Sequence, residues 1–66
     1  DKTLALKVLE RLFLTKPHYE RIAAAIIYGG LGGKEALPKL REWASAERNP
    51  EIISGLDQAI AEASAD

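Results

Sequence analysis

The sequence predicts an all-α protein of four short antiparallel helices, and three observations carry that reading. Apolar residues recur at three- and four-residue spacing through most of the chain, the period of a helix with one buried face. The prolines, Pro17, Pro38 and Pro50, stand where helices would begin and not inside an apolar run. No segment alternates apolar and polar residues around hairpin turn chemistry, so no sheet is expected.

The first helix is predicted over about 3–15, where Leu4, Val8 and Leu12 form a stripe with Leu9 and Phe13 beside it. Pro17 interrupts that run, and its fixed φ suits the first turn of a second helix. Tyr19, Ile22, Ala23, Ile26 and Ile27 share one face of that helix. It is expected to stop at Gly29, because Gly29-Gly30-Leu31-Gly32-Gly33 combines backbone freedom with little to pack. A third helix turns Ala36, Leu37, Leu40, Trp43 and Ala44 inward, with Pro38 placing its start near Glu35. The fourth has the clearest start: Asn49 can cap free N–H groups, Pro50 fits the first helical position, and Glu51 complements the helix dipole. Ile52, Ile53, Leu56, Ala59, Ile60 and Ala63 then make its buried stripe. Gly55, inside that helix, implies close approach of a neighbour.

A chain of 66 residues can enclose only one core, so residues 1–66 form a single helical domain. Its parts are a hairpin at about 3–28, a glycine-rich turn at 29–33 and a second hairpin at about 35–65. With no cysteine there is no disulfide framework and no thiolate metal site, which suits a reducing, cytoplasmic setting. The absence of methionine implies a piece of a longer protein or a processed chain. A net charge of -1 gives no footprint for a polyanion, and no apolar run is long enough for a bilayer. The charge is uneven all the same. Lys2, Lys7, Arg11, Lys16 and Arg21 make the first half basic, whereas Glu51, Asp57, Glu62 and Asp66 follow Arg48 with no basic residue among them.

The two halves look like copies. Leu6, Leu9, Leu12 and Phe13 align with Leu37, Leu40, Trp43 and Ala44 at an offset of 31, and Ile27-Tyr28 aligns with Ala59-Ile60 at 32. One helix hairpin per ~30 residues is the period of an α-solenoid, whose units bury their faces on neighbours. The stretch Arg21-Ile22-Ala23-Ala24-Ala25-Ile26-Ile27-Tyr28-Gly29-Gly30-Leu31-Gly32-Gly33-Lys34-Glu35-Ala36-Leu37-Pro38-Lys39-Leu40 resembles the short HEAT-like repeats, including those of bilin lyases. Asn49-Pro50-Glu51 is similar to the turn that joins the two helices of such a unit. The resemblance implies two stacked helical hairpins, an α-solenoid fragment, acting by contact with a protein partner or with neighbouring repeats of a longer chain. A compact four-helix bundle is the alternative.

No residue set supports catalysis. Glu35 follows Lys34 where a phosphate loop needs a hydroxyl, and the glycines follow a helix, not a strand. His18 is the one histidine, so a histidine metal pair cannot form, and Glu10, Glu20, Glu42 and Glu62 fall on polar helix faces. No cofactor is implied and the chain is not expected to be an enzyme. Aromatic residues act as anchors when exposed and as core when not, so Trp43 and Tyr19 are weighed as either, with core or core-rim favoured for Trp43; Trp43 and Phe13 are among the candidate partner contacts. Leu6 and Leu14 lie outside the first helix's stripe, so its apolar arc exceeds what one hairpin covers. Asp57 and Glu62 complete the candidate set on the acidic fourth helix. The expected function is a non-catalytic protein–protein interaction module built from HEAT-like repeats. A homotypic four-helix adaptor, forming a homo-oligomer, is one alternative. A nucleic-acid-backbone binder using Lys7, Arg11, Lys16 and Arg21 is another, disfavoured by the net charge; a ligand-holding fragment of a lyase is a third.

Overall fold

Asp1 accepts a hydrogen bond from the Thr3 N–H at 2.9 Å and so caps the first helix, α1, which runs Lys2–Thr15. In the computed structural model, which describes residues 1–65, the backbone is helical nearly throughout and contains no strand among those residues. Asp66, part of the acidic stretch, lies outside the described residues. The expected four separate helices are corrected to three uninterrupted helical stretches, because only residues 16–17 and 47–49 break the run. In the middle stretch α2 (His18–Gly32), a 3-10 turn (Gly33–Ala36) and α3 (Leu37–Ala46) follow one another with no residue between them; the last is α4 (Pro50–Ser64).

The glycine-rich segment explains the difference. Helix α2 does not stop at Gly29 but continues to Gly32, since Gly29 is buried against α4: a Cβ there would sit 2.7 Å from the Ala59 carbonyl oxygen. Packing gained by close approach outweighs the roughly 1 kcal/mol by which glycine disfavours a helix interior. The direction changes at Gly33, whose φ of 58° lies in the positive-φ range that glycine alone enters without penalty. Pro38 then stands in the first turn of α3, and Asn49 Oδ1 accepts from the Glu51 N–H at 3.0 Å to cap α4.

Helix α2 is central, packed on α1 along one side and on α4 along the other, with α3 against α4. Small residues bring α2 and α4 close: Gly29 lies against Ala59 and Gly55 against Ile22, and both glycines and Ala59 are buried. A Cβ on Gly55 would meet Ile22 Cγ2 at 2.8 Å, the close neighbour its helix-interior position implies. Bulk is concentrated where the other elements meet, in Phe13, Tyr28, Leu40, Trp43, Ile52 and Leu56. Phe13 and Trp43 stack with centroids 4.1 Å apart and Tyr28 leans on Trp43 at 5.1 Å, so aromatic contacts tie α1 to α2 and α3. A Cα radius of gyration of 10.5 Å is that of a closed globule of this length, about 11 Å by general scaling.

The helix faces differ from expectation in two places. In α1 the inward stripe is Leu6, Leu9 and Phe13, and Leu4 and Val8 point outward. In α2 Ala24, Ala25, Tyr28, Gly29 and Gly32 turn inward, leaving Tyr19, Ala23 and Ile27 exposed. Each has its own cause: α2, a central helix with neighbours on two sides, packs most closely through its small residues, and Phe13 sets the rotation of α1 by stacking on Trp43.

Candidate docking surface

The outward sides of α1 and α2 share an apolar surface. Leu4 is 62% exposed, Val8 52%, Ile27 55% and Leu31 41%, far from the enclosure that leucine, valine and isoleucine ordinarily find. Two shallow depressions meet at Leu12. One, about 370 Å³, lies between the helices over Leu9, Leu12, Ala23, Ala24 and Ile27, with Lys16 and Glu20 at its rim. The other, about 390 Å³, runs along α1 over Leu4, Val8 and Leu12 and is edged by Lys7 and Arg11. Among the described residues Lys7, Arg11 and Lys16 take part in no ion pair, whereas Lys2 lies 3.8 Å from Glu35.

No family model, curated protein or solved structure matches the chain. The arrangement of its side chains therefore carries the functional reading. Phe13 and Trp43 are inside the core, stacked on each other, and Leu6 is half-buried, packing over Gly32. Leu14 is 70% exposed, on the other flank of α1 from Leu12. Asp57 and Glu62 are exposed on α4, apart from the apolar surface. The structure thus does not gather the six candidates into one patch. Leu4, Val8 and Ile27, which border the two depressions that meet at Leu12, fall on the stripes that spacing alone turns inward. The signal pointing the other way was Phe13: counting back by three and four from the bulkiest residue of α1 gives Leu9 and Leu6, the inward pair.

Behind the surface, polar contacts hold the helices in place. Arg21 on α2 donates from Nε to the Phe13 carbonyl at 2.7 Å and from its terminal nitrogen to Glu47 Oε1 at 2.6 Å, with the guanidinium 4.5 Å from the Phe13 ring centroid. Burial alone would raise the Glu47 carboxyl. The hydrogen bonds from Arg21 and from the Asn49 N–H, with the Arg21 charge, outweigh it and hold the group below its ordinary value. Glu10 is not on a solvated face: Tyr28 donates its hydroxyl to Glu10 Oε2 at 3.0 Å. Burial first, then that hydrogen bond and the nearby negative charge, push the Tyr28 hydroxyl up to about 12.

His18 joins the starts of α2 and α4. Since Asn49 Oδ1 is fixed as an acceptor by the Glu51 N–H, its amide nitrogen faces His18 Nδ1 at 3.1 Å as a donor. Nδ1 of the neutral ring must then accept, which leaves the hydrogen on Nε2, donated to Glu51 Oε2 at 3.1 Å. That ring is a structural bridge. No group of three or more histidine, cysteine or acidic side chains among the described residues could hold a metal ion, and no described helix is long and apolar enough to cross a membrane.

Proposed function

We propose that the chain is a non-catalytic protein–protein interaction module of the HEAT-like kind that receives its partner on the α1–α2 surface. The observation behind this reading is the apolar area of Leu4, Val8 and Ile27 on either side of half-buried Leu12, which the chain leaves uncovered although a domain this small needs burial. The glycine-spaced packing beneath it supplies a firm mount, and a cytoplasmic setting accords with a cysteine-free chain. A nucleic-acid backbone is a poorer occupant. Of the four cations it would require, Arg21 is committed to Glu47 and to the Phe13 carbonyl, and leucine and isoleucine offer no hydrogen bonds to phosphate.

The test places a photo-crosslinking amino acid at position 8, 27 or 58 and exposes the protein to the soluble proteins of its own cell. Positions 8 and 27 should give strong adducts to one partner, and 58, on exposed α4, weak ones. Equal yields at all three would refute the assignment of the surface.

A further inference from the structure

The edge of the apolar surface specifies what kind of partner fits it. Three cations, Lys7, Arg11 and Lys16, border the two depressions against one anion, Glu20. Between antiparallel helices, an apolar trough of this form accepts a third helix laid lengthwise, its apolar side chains at i, i+3, i+4 and i+7 seated over Leu9, Leu12 and Ile27. Charge then decides among helices. A symmetric second copy pairing α1 with α1 would set Lys7 and Arg11 against their equivalents. A second copy docking through α4 would bring carboxylates, but the exposed positions beyond its first turn, through residue 62, are Ser54, Asp57, Gln58, Ala61 and Glu62, with nothing bulky to cover Leu4, Val8 and Ile27.

Resting on the interaction reading above, we infer that the α1–α2 trough binds an amphipathic helix of a partner protein whose apolar stripe is flanked by aspartate and glutamate. The carboxylates meet Lys7 and Arg11 along one edge and Lys16 at the end, while the stripe covers the leucines. Apolar contact supplies most of the affinity, and the flanking charges select the partner and speed its arrival.

Two synthetic helices of about 16 residues, long enough for four turns, would carry the same leucine stripe and either glutamate or lysine flanks. Fluorescence anisotropy measures each against the intact chain at low and moderate salt, with sedimentation equilibrium on the chain alone. The inference expects a monomer and roughly tenfold tighter binding of the glutamate helix, since each exposed pair contributes modestly. That preference should shrink with salt and vanish in Lys7→Glu/Arg11→Glu, and both helices should be lost in Val8→Glu and in Ile27→Gln, each checked for helicity by circular dichroism. Equal binding of the two helices, still abolished by Val8→Glu, would overturn the charge selection and leave the interaction surface standing. Binding of neither by a folded monomer would overturn both readings. A dimer that Val8→Glu dissolves would overturn the inference in favour of a second copy.

Discussion

Replacing Gly29 and Gly30 by alanine, one at a time, separates helix propensity from close packing within adjacent residues of the same helix. Both lie inside α2, so alanine removes about the same 0.5–1 kcal/mol of backbone penalty at each. The surroundings differ. A Cβ at Gly30 meets nothing within 4 Å, whereas at Gly29 it would stand 2.7 Å from the Ala59 carbonyl oxygen and 3.3 Å from its carbon, both backbone atoms that move only if α4 moves. Forcing the helices apart costs about 1–3 kcal/mol, so Gly29→Ala should destabilise by about 1–2 kcal/mol net while Gly30→Ala stabilises by 0.5–1 kcal/mol. At about 4–8 °C per kcal/mol for a domain of this size, thermal unfolding followed by circular dichroism should place Gly30→Ala a few degrees above the parent and Gly29→Ala about 5–15 °C below it. Shifts of the same sign and size at the two positions would show that the α2–α4 contact is looser than the structure has it.

Other outcomes follow from the core and its charges. Phe13→Ala removes a ring stacked on Trp43 and lying beside Arg21; a loss of about 3–5 kcal/mol matches the whole stability of such a domain, so near-UV circular dichroism should show an unfolded chain, and a cooperative melt within 5 °C of the parent would be wrong for this core. Glu47 titrates lower in the folded chain than its ordinary 4.5, so its contribution is complete above that pH and fades as the pH falls beneath it; denaturant titrations of Glu47→Gln from pH 7 to 3 should show a shallower acid decline than the parent. Tyr28 moves the other way, from 10.0 to about 12, so stability is lost as pH rises between those values, by roughly 3 kcal/mol, and Tyr28→Phe should abolish that alkaline loss.

Local chemistry was legible in the sequence and rotation about helix axes was not. Asn49-Pro50 announced the start of α4 because capping depends on one side chain and its nearest backbone, and the α4 stripe followed because only one face of that helix is apolar. In α1, leucines on several faces leave two stripes nearly equal, and Phe13 settles the rotation only once Trp43, thirty positions on, is beside it. The glycine run misled for a related reason. Read alone, Gly29 through Gly33 is a flexible break; against α4, Gly29 is where two backbones touch, and only Gly33 takes a conformation that requires glycine. The apolar trough inherits both uncertainties, since its floor comprises the very residues whose facing spacing could not assign.

The contact between α2 and α4 has a bearing on how selective the opposite side of α2 can be. Helices separated by glycine and alanine touch through main-chain atoms, which have no alternative rotamers with which to widen or narrow the gap. The wall of the trough that α2 supplies, backed by such a contact, keeps one shape whether occupied or empty, so an incoming helix demands little reorganisation on that side. Adaptation to different ligands then falls to α1, through its leucine rotamers and the flexible lysine and arginine tips at the border.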